Sequence, residues 1–192
     1  MKDLETVKDQ IKASSDTKML LLDDEKMLAN IAKAAEVCTD AYKNGRKTLF
    51  AGNGGSAADA QHLAGEFVSK FYFDRPGLPS IALTTDTSIL TAIGNDYGFE
   101  KLFERQVQAQ GVPGDVFVGI STSGNSANIV KAMEYCREHG IYTISLTGSR
   151  ECKMDAADLV IKVPSSETPR IQECQTLIGH IICCIVEKNI FG

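Results

Sequence analysis

From residue 47 onward, short uninterrupted apolar runs alternate with longer stretches whose apolar positions recur at helical spacing. The runs "TLFA" (48–51), "SIAL" (80–83), "VFVGI" (116–120), "YTISL" (142–146) and "LVIKV" (159–163) predict strands. Residues 56–71, 99–110, 125–139 and 168–190 predict helices. Strand–helix alternation with strands apolar on both sides implies an α/β fold: a parallel sheet covered by helices on both faces. The first 44 residues read differently. Leu4, Val7 and Ile11 share one helical face; Leu28, Ile31, Ala35, Cys38 and Tyr42 share another, which ends at "KNG". Two N-terminal packing helices are expected there.

The turns "RPGLP" (75–79), "GVPGD" (111–115) and "PSSETP" (164–169) separate elements without forming a linker, and no repeat or low-complexity tract is present. A single domain over 1–192 is therefore expected, with the helical segment 1–44 preceding an α/β sandwich over 45–192.

Composition narrows the partners. A chain of 192 residues that is 43% hydrophobic can bury a substantial core. With 20 basic and 25 acidic residues it carries a formal charge of −5 and no Lys/Arg run, which argues against a nucleic-acid face and for a small-molecule partner. "MLLL" (19–22) is too short to span a membrane, and the N-terminus has no export-signal pattern. Six cysteines without CxxC spacing fit a reduced, cytoplasmic protein.

Ligands of open parallel sheets sit beyond the carboxyl ends of the strands. Three loops there are distinctive: "GNGGSAAD", "TTDTS" and "STSGNSAN". In the last, Ser121, Thr122, Ser123 and Ser126 surround Gly124 just ahead of a helix. Unpaired N–H groups, the helix dipole and hydroxyl donors together suit a phosphate. The competing reading is that Ser123 or Ser126 only caps the helix. "GNGGSA" from Gly52 fits the dinucleotide pattern GxGxxG only through its final alanine, Asp86 lies too far along to serve as a ribose ligand, and no Walker lysine is present. A sugar phosphate ranks above a nucleotide.

His62 and Glu66 are four residues apart on the helix after the glycine turn, hence neighbours on one face. The spacing suits a metal or a shared proton, and equally an ordinary surface pair. His180 lies in a strongly apolar helix beside Gly179, which leaves space next to the imidazole; the alternative is a satisfied core histidine.

The segments "AGNGGSAADAQHLAGEF", "LTAIGNDYGFE", "GDVFVGISTSGNSANIVKA", "LTG" and "RIQECQTLIGH" resemble the sugar isomerase (SIS) family, and within it the bacterial phosphoheptose isomerases. The resemblance covers nearly the whole chain. It implies conversion of D-sedoheptulose 7-phosphate to D-glycero-D-manno-heptose 7-phosphate by proton transfer through an enediol, leading to activated heptose for surface polysaccharide. It also implies zinc and a homotetramer. By position, it assigns metal binding to His62, Glu66, Gln172 and His180, with Glu66 and His180 also transferring protons. Sugar contacts fall to Asn53, Gly54, Gly55, Asn95, Asp96 and Gln172, and phosphate contacts to Ser121, Thr122, Ser123 and Ser126. Pro169 departs from the family, where an acidic residue often precedes the Arg-Ile-Gln segment. Cys174, Cys183 and Cys184 are better read as small apolar residues than as ligands.

Gln172 and His180 stand eight residues apart, about 12 Å along a straight helix. Either that helix bends or starts late, or one site draws on two subunits. A second reading keeps the fold without the chemistry. SIS relatives include a protein that binds the bacterial replication initiator, which lacks the residues matching Glu66 and His180, and sugar-phosphate-sensing domains of regulators.

Overall fold

The protein's structure is a computed structural model that describes residues 2–192. Two helices, α1 (Lys2–Leu22) and α2 (Glu25–Lys43), lead into a repeating unit of strand and helix. The strands are β1 (Thr48–Gly52), β2 (Ser80–Ala82), β3 (Val116–Ile120), β4 (Tyr142–Thr147) and β5 (Leu159–Lys162). Between and after them run α3 (Gly55–Val68), α4 (Thr87–Asp96), α5 (Leu102–Gln110), α6 (Ala127–Glu138) and α7 (Thr168–Phe191). All pairings are parallel, in the order β2-β1-β3-β4-β5.

Alternate residues of each strand feed opposite layers, as a pleat requires. Phe50, Val116, Val118, Ile120 and Ile144 face the layer of α2, α3 and α7. Leu49, Ala51 and Phe117 face that of α5 and α6. Burial on both sides explains the uninterrupted apolar runs. The α7 helix is long and apolar enough to cross a membrane by composition. Its Ile171, Cys174, Ile178, Ile182, Cys183 and Val186 are instead packed into the first of these layers.

The five expected strands are present, and three differences concern helices. The chain forms α4, which the sequence reading passes over. Asp86, considered above only as a misplaced ribose ligand, is its N-cap, with its carboxylate accepting from the Ile89 N–H at 2.9 Å. The α3 helix stops at Val68 rather than 71, because the Phe67 carbonyl accepts from the Leu78 N–H and from the Arg75 guanidinium. The α5 helix is preceded by a 3₁₀ turn at Phe99–Lys101. The expected apolar face of α1 forms but finds no cover among the described residues: Leu4, Val7 and Ile11 are 53%, 52% and 66% exposed.

Candidate active site

The strand order reverses between β1 and β3, and at such a switch point the two following loops splay apart to admit a ligand. Register places Gly52 opposite Ile120, so Asn53 and Ser121 are the first residues past the sheet on either side. Asn53 and Asn128 lock the two loops together through a reciprocal pair of amide hydrogen bonds, 3.0 and 2.9 Å. Asn128 is buried at the start of α6. It lies within the quoted serine motif, yet sequence reasoning gave it no role because its partner is 75 residues away.

The serine loop is a built structure. Gly124 adopts φ +64°, a left-handed conformation that glycine tolerates without steric cost. Its N–H donates to Ser121 Oγ at 3.1 Å, and Ser121 Oγ also lies 3.0 Å from Ser126 Oγ. Ser126 occupies the N-cap position of α6 but makes no side-chain cap bond, which removes the capping explanation for its hydroxyl. Ser123 Oγ accepts from the Asn125 N–H at 3.3 Å. Beside this loop opens a cavity of about 200 Å³, lined by Thr122, Ser123, Gly148, Arg150, Ser165 and Thr168 among others. Its walls are thus the loops after β3, β4 and β5 and the N-terminus of α7. Arg150 is the cation there, and the sequence signal for it was its place just after "LTG" at the end of β4.

The second constellation lies further along α3, where that helix crosses α7. His62 Nε2 and His180 Nε2 are 2.7 Å apart, and His62 Nδ1 is 3.6 Å from Glu66 Oε1. One ligand atom from each of the three residues falls within 4.8 Å of the others. Two imidazole nitrogens and a carboxylate oxygen form a donor set suited to zinc, so this cluster could hold a metal ion. The Phe71 ring sits 5.6 Å from His180. His180 is half-buried and turned to His62, not enclosed in the core.

Close helix contact makes this meeting possible. A β-carbon at Gly179 would come within 2.4 Å of Leu63 Cδ2, so the space expected beside His180 is filled by Leu63. At the other end of the crossing, a β-carbon at Gly55 would lie 2.6 Å from Gln172 Nε2. Thr176 Oγ1 donates to Asp59 Oδ1 between them, at 2.9 Å. Gln172 therefore packs at the start of α3 and His180 two turns along it. The helix α7 already begins at Thr168, which excludes a late start near Gln172. Pro169 falls in its first turn, where a missing N–H costs no intrahelical bond.

Asn95 and Asp96 stand apart from both constellations. They are exposed at the end of α4, where Asn95 Nδ2 donates to Asp96 Oδ1 at 2.7 Å. The cysteines on α7 are not in the cluster, and burial raises the thiols of Cys174 and Cys183, as expected of small core residues.

Fold and site together define a doubly wound α/β protein with a serine-rich loop at the switch point of its sheet and a separate imidazole–carboxylate cluster. Residues 17–148 match the SIS domain model. The phosphoheptose isomerase of Aneurinibacillus thermoaerophilus is 62% identical over 186 residues, which is 96% of this chain and 94% of that protein. Phosphoheptose isomerase 2 of Campylobacter jejuni is 66% identical over 90% of this chain and 86% of its own. The structure of a phosphoheptose isomerase from Francisella tularensis superposes with a TM-score of 0.93 at 35% identity, covering 98% of this chain and 100% of the other. The chain belongs to the SIS domain family and, within it, to the phosphoheptose isomerases.

Proposed function

We propose that this protein is the ketose–aldose isomerase that converts D-sedoheptulose 7-phosphate to D-glycero-D-manno-heptose 7-phosphate, the first step towards activated heptose for bacterial surface polysaccharide. The observation that carries this reading is the convergence of His62, Glu66 and His180 in a chain whose relatives are phosphoheptose isomerases. A binding protein needs the serine loop but has no use for that cluster.

The substrate has its phosphate on C7 and its reacting carbons, C1 and C2, at the opposite end. A site in two parts suits such a molecule. Gly55, at the phosphate end of α3, and His62 are seven residues apart, about 10 Å along the helix. The hydroxyls of Ser121, Thr122, Ser123 and Ser126 hold the phosphate. Asn53, Gly54, Gly55 and Gln172 line the sugar between the two ends, while Asn95 and Asp96 contact it from a neighbouring subunit.

Glu66 moves the proton between C1 and C2, and His180 exchanges a proton with the carbonyl oxygen as the enediol forms and collapses. His62, between them, orients both side chains. His62, Glu66 and His180 would hold zinc, and the family resemblance adds Gln172 to that ligand set. When bound, zinc supplies Lewis-acid stabilisation of negative charge on the substrate oxygens. The uncovered apolar face of α1 supports assembly, which family resemblance makes a homotetramer. Six unpaired cysteines accord with a cytoplasmic location.

Incubating the purified protein with sedoheptulose 7-phosphate tests the proposal. Aldose phosphate should appear, and should diminish after metal is removed by chelation. Tight binding of the ketose without turnover would establish the non-catalytic reading instead.

A further inference from the structure

Arg75 and Glu187 form a buried ion pair behind the cluster, their side chains 2% and 1% exposed and Nε 3.1 Å from Oε1. A buried charge pair needs a dense set of partners to persist, and apart from the neighbouring Pro76 carbonyl the partners here lie at the end of α3 or in the segment just after it that packs on His180. Arg75 Nη2 donates to the backbone carbonyl of Glu66 at 2.9 Å, and Nη1 donates to those of Phe67 at 2.6 Å and Ser69 at 3.1 Å. The guanidinium thereby caps the carboxyl end of α3, where orphan carbonyls and the helix dipole favour a cation. Glu187 accepts from the Phe71 and Tyr72 N–H groups at 2.8 and 2.7 Å, which fixes Phe71 against the His180 ring.

Glu187 lies seven residues, nearly two full turns, beyond His180 on α7, so both project from about the same face. The Glu66 carbonyl and the His62 side chain stand one turn apart on α3. The ion pair thus ties the axial offset of α3 against α7 at one point, and the His62–His180 contact reads that offset at another. Close packing at Gly179 and Leu63 sets how far apart the two helices lie but leaves sliding along them to be restrained elsewhere.

We infer that Arg75 and Glu187 are positioning residues for the isomerisation: they hold α3, α7 and Phe71 in the alignment that brings Glu66 and His180 to one substrate. This inference rests on the isomerase reading. Both side chains are buried away from solvent, and the serine loop lies outside their network.

The test uses Arg75→Lys, which keeps the charge and loses the fork, and Glu187→Gln, which keeps an acceptor and loses the charge. Both are assayed well below their unfolding midpoints. The kcat per folded protein should fall roughly 10–100-fold, the scale of a 1 Å misplacement, while affinity for a non-reactive sugar phosphate stays within about twofold, as expected when only transition-state interactions are lost. The chain's three histidines give an independent readout by proton NMR. Resonances of His62 and His180 should shift, while His139, stacked on Tyr135 elsewhere, should not. Parental kcat, unmoved His62 and His180 signals, or loss of cooperative unfolding in both variants would each overturn the inference, the last by assigning the pair to stability alone. A parent protein without turnover would sink the isomerase reading instead, and the ring resonances would still report positioning.

Discussion

Gly179 and Leu63 occupy the same small volume between α7 and α3: a β-carbon on the glycine would lie 2.4 Å from one Leu63 methyl and 2.6 Å from the other. Neither helix can carry more bulk there without moving away. The adjacent residues, His180 and His62, are the pair whose nitrogens meet at 2.7 Å.

Gly179→Ala should therefore be destabilising and should lower activity. Overpacking costs about 1–3 kcal/mol, against roughly 1 kcal/mol recovered from helix propensity. Combined with Leu63→Ala, the loss should be smaller than the sum of the two single losses, because the new methyl enters the space vacated. Denaturant unfolding and isomerase assays on all three variants check this. Additive losses would show that the two sites do not share the space.

The serine loop should govern phosphate affinity without affecting the fold. Replacing Ser123 and Ser126 by alanine removes two hydroxyls, one of which makes no cap bond to α6. Each lost donor to an anion typically costs about 1.5–3 kcal/mol, less where water substitutes. Calorimetric titration with the substrate should register the weakening. Unchanged affinity would remove these hydroxyls from the phosphate site.

Glu66→Gln preserves shape and abolishes the base. Turnover should fall by roughly 10²–10⁴-fold, with substrate still bound through the serine loop. In deuterated water the parent should deliver label to C2 of the aldose, and the variant should not. A variant isomerising at the parental rate would take Glu66 out of the proton transfer.

Glu187 should make stability depend on acid. Burial opposes its charge, but the N–H bonds from Phe71 and Tyr72 and the Arg75 guanidinium outweigh it and hold the carboxyl below its usual value. A carboxyl depressed in the folded state contributes stability that is fully present above the unfolded value of about 4.3 and is lost as pH falls through the lower folded one. The parent should accordingly exceed Glu187→Gln in stability near neutral pH, and the gap should close as pH drops below about 4. Unfolding midpoints of both proteins across that range measure it, and a constant gap would contradict the assignment.

Periodicity was sufficient for the five strands and their parallel arrangement, because burial on both faces of a sheet leaves uninterrupted apolar runs in the chain itself. The serine loop was equally legible as a local turn ahead of α6, since its hydroxyls lie within six consecutive residues, 121–126, and its internal bonds are local. The α4 helix was missed although Asp86 carries a cap signal, because "TTDTS" after the second strand was read only as a ligand loop and Asp86 only as a candidate ribose ligand.

What only the tertiary structure decided are relations between distant residues. His62 meets His180 across 118 positions, Arg75 meets Glu187 across 112, and Asn53 meets Asn128 across 75. Each pair depends on how two elements cross, which periodicity within either element does not encode. Gly179 shows the difference most directly. Its small size was visible in the chain, but whether the space beside it held an imidazole or Leu63 was settled by the packing of α3 against α7.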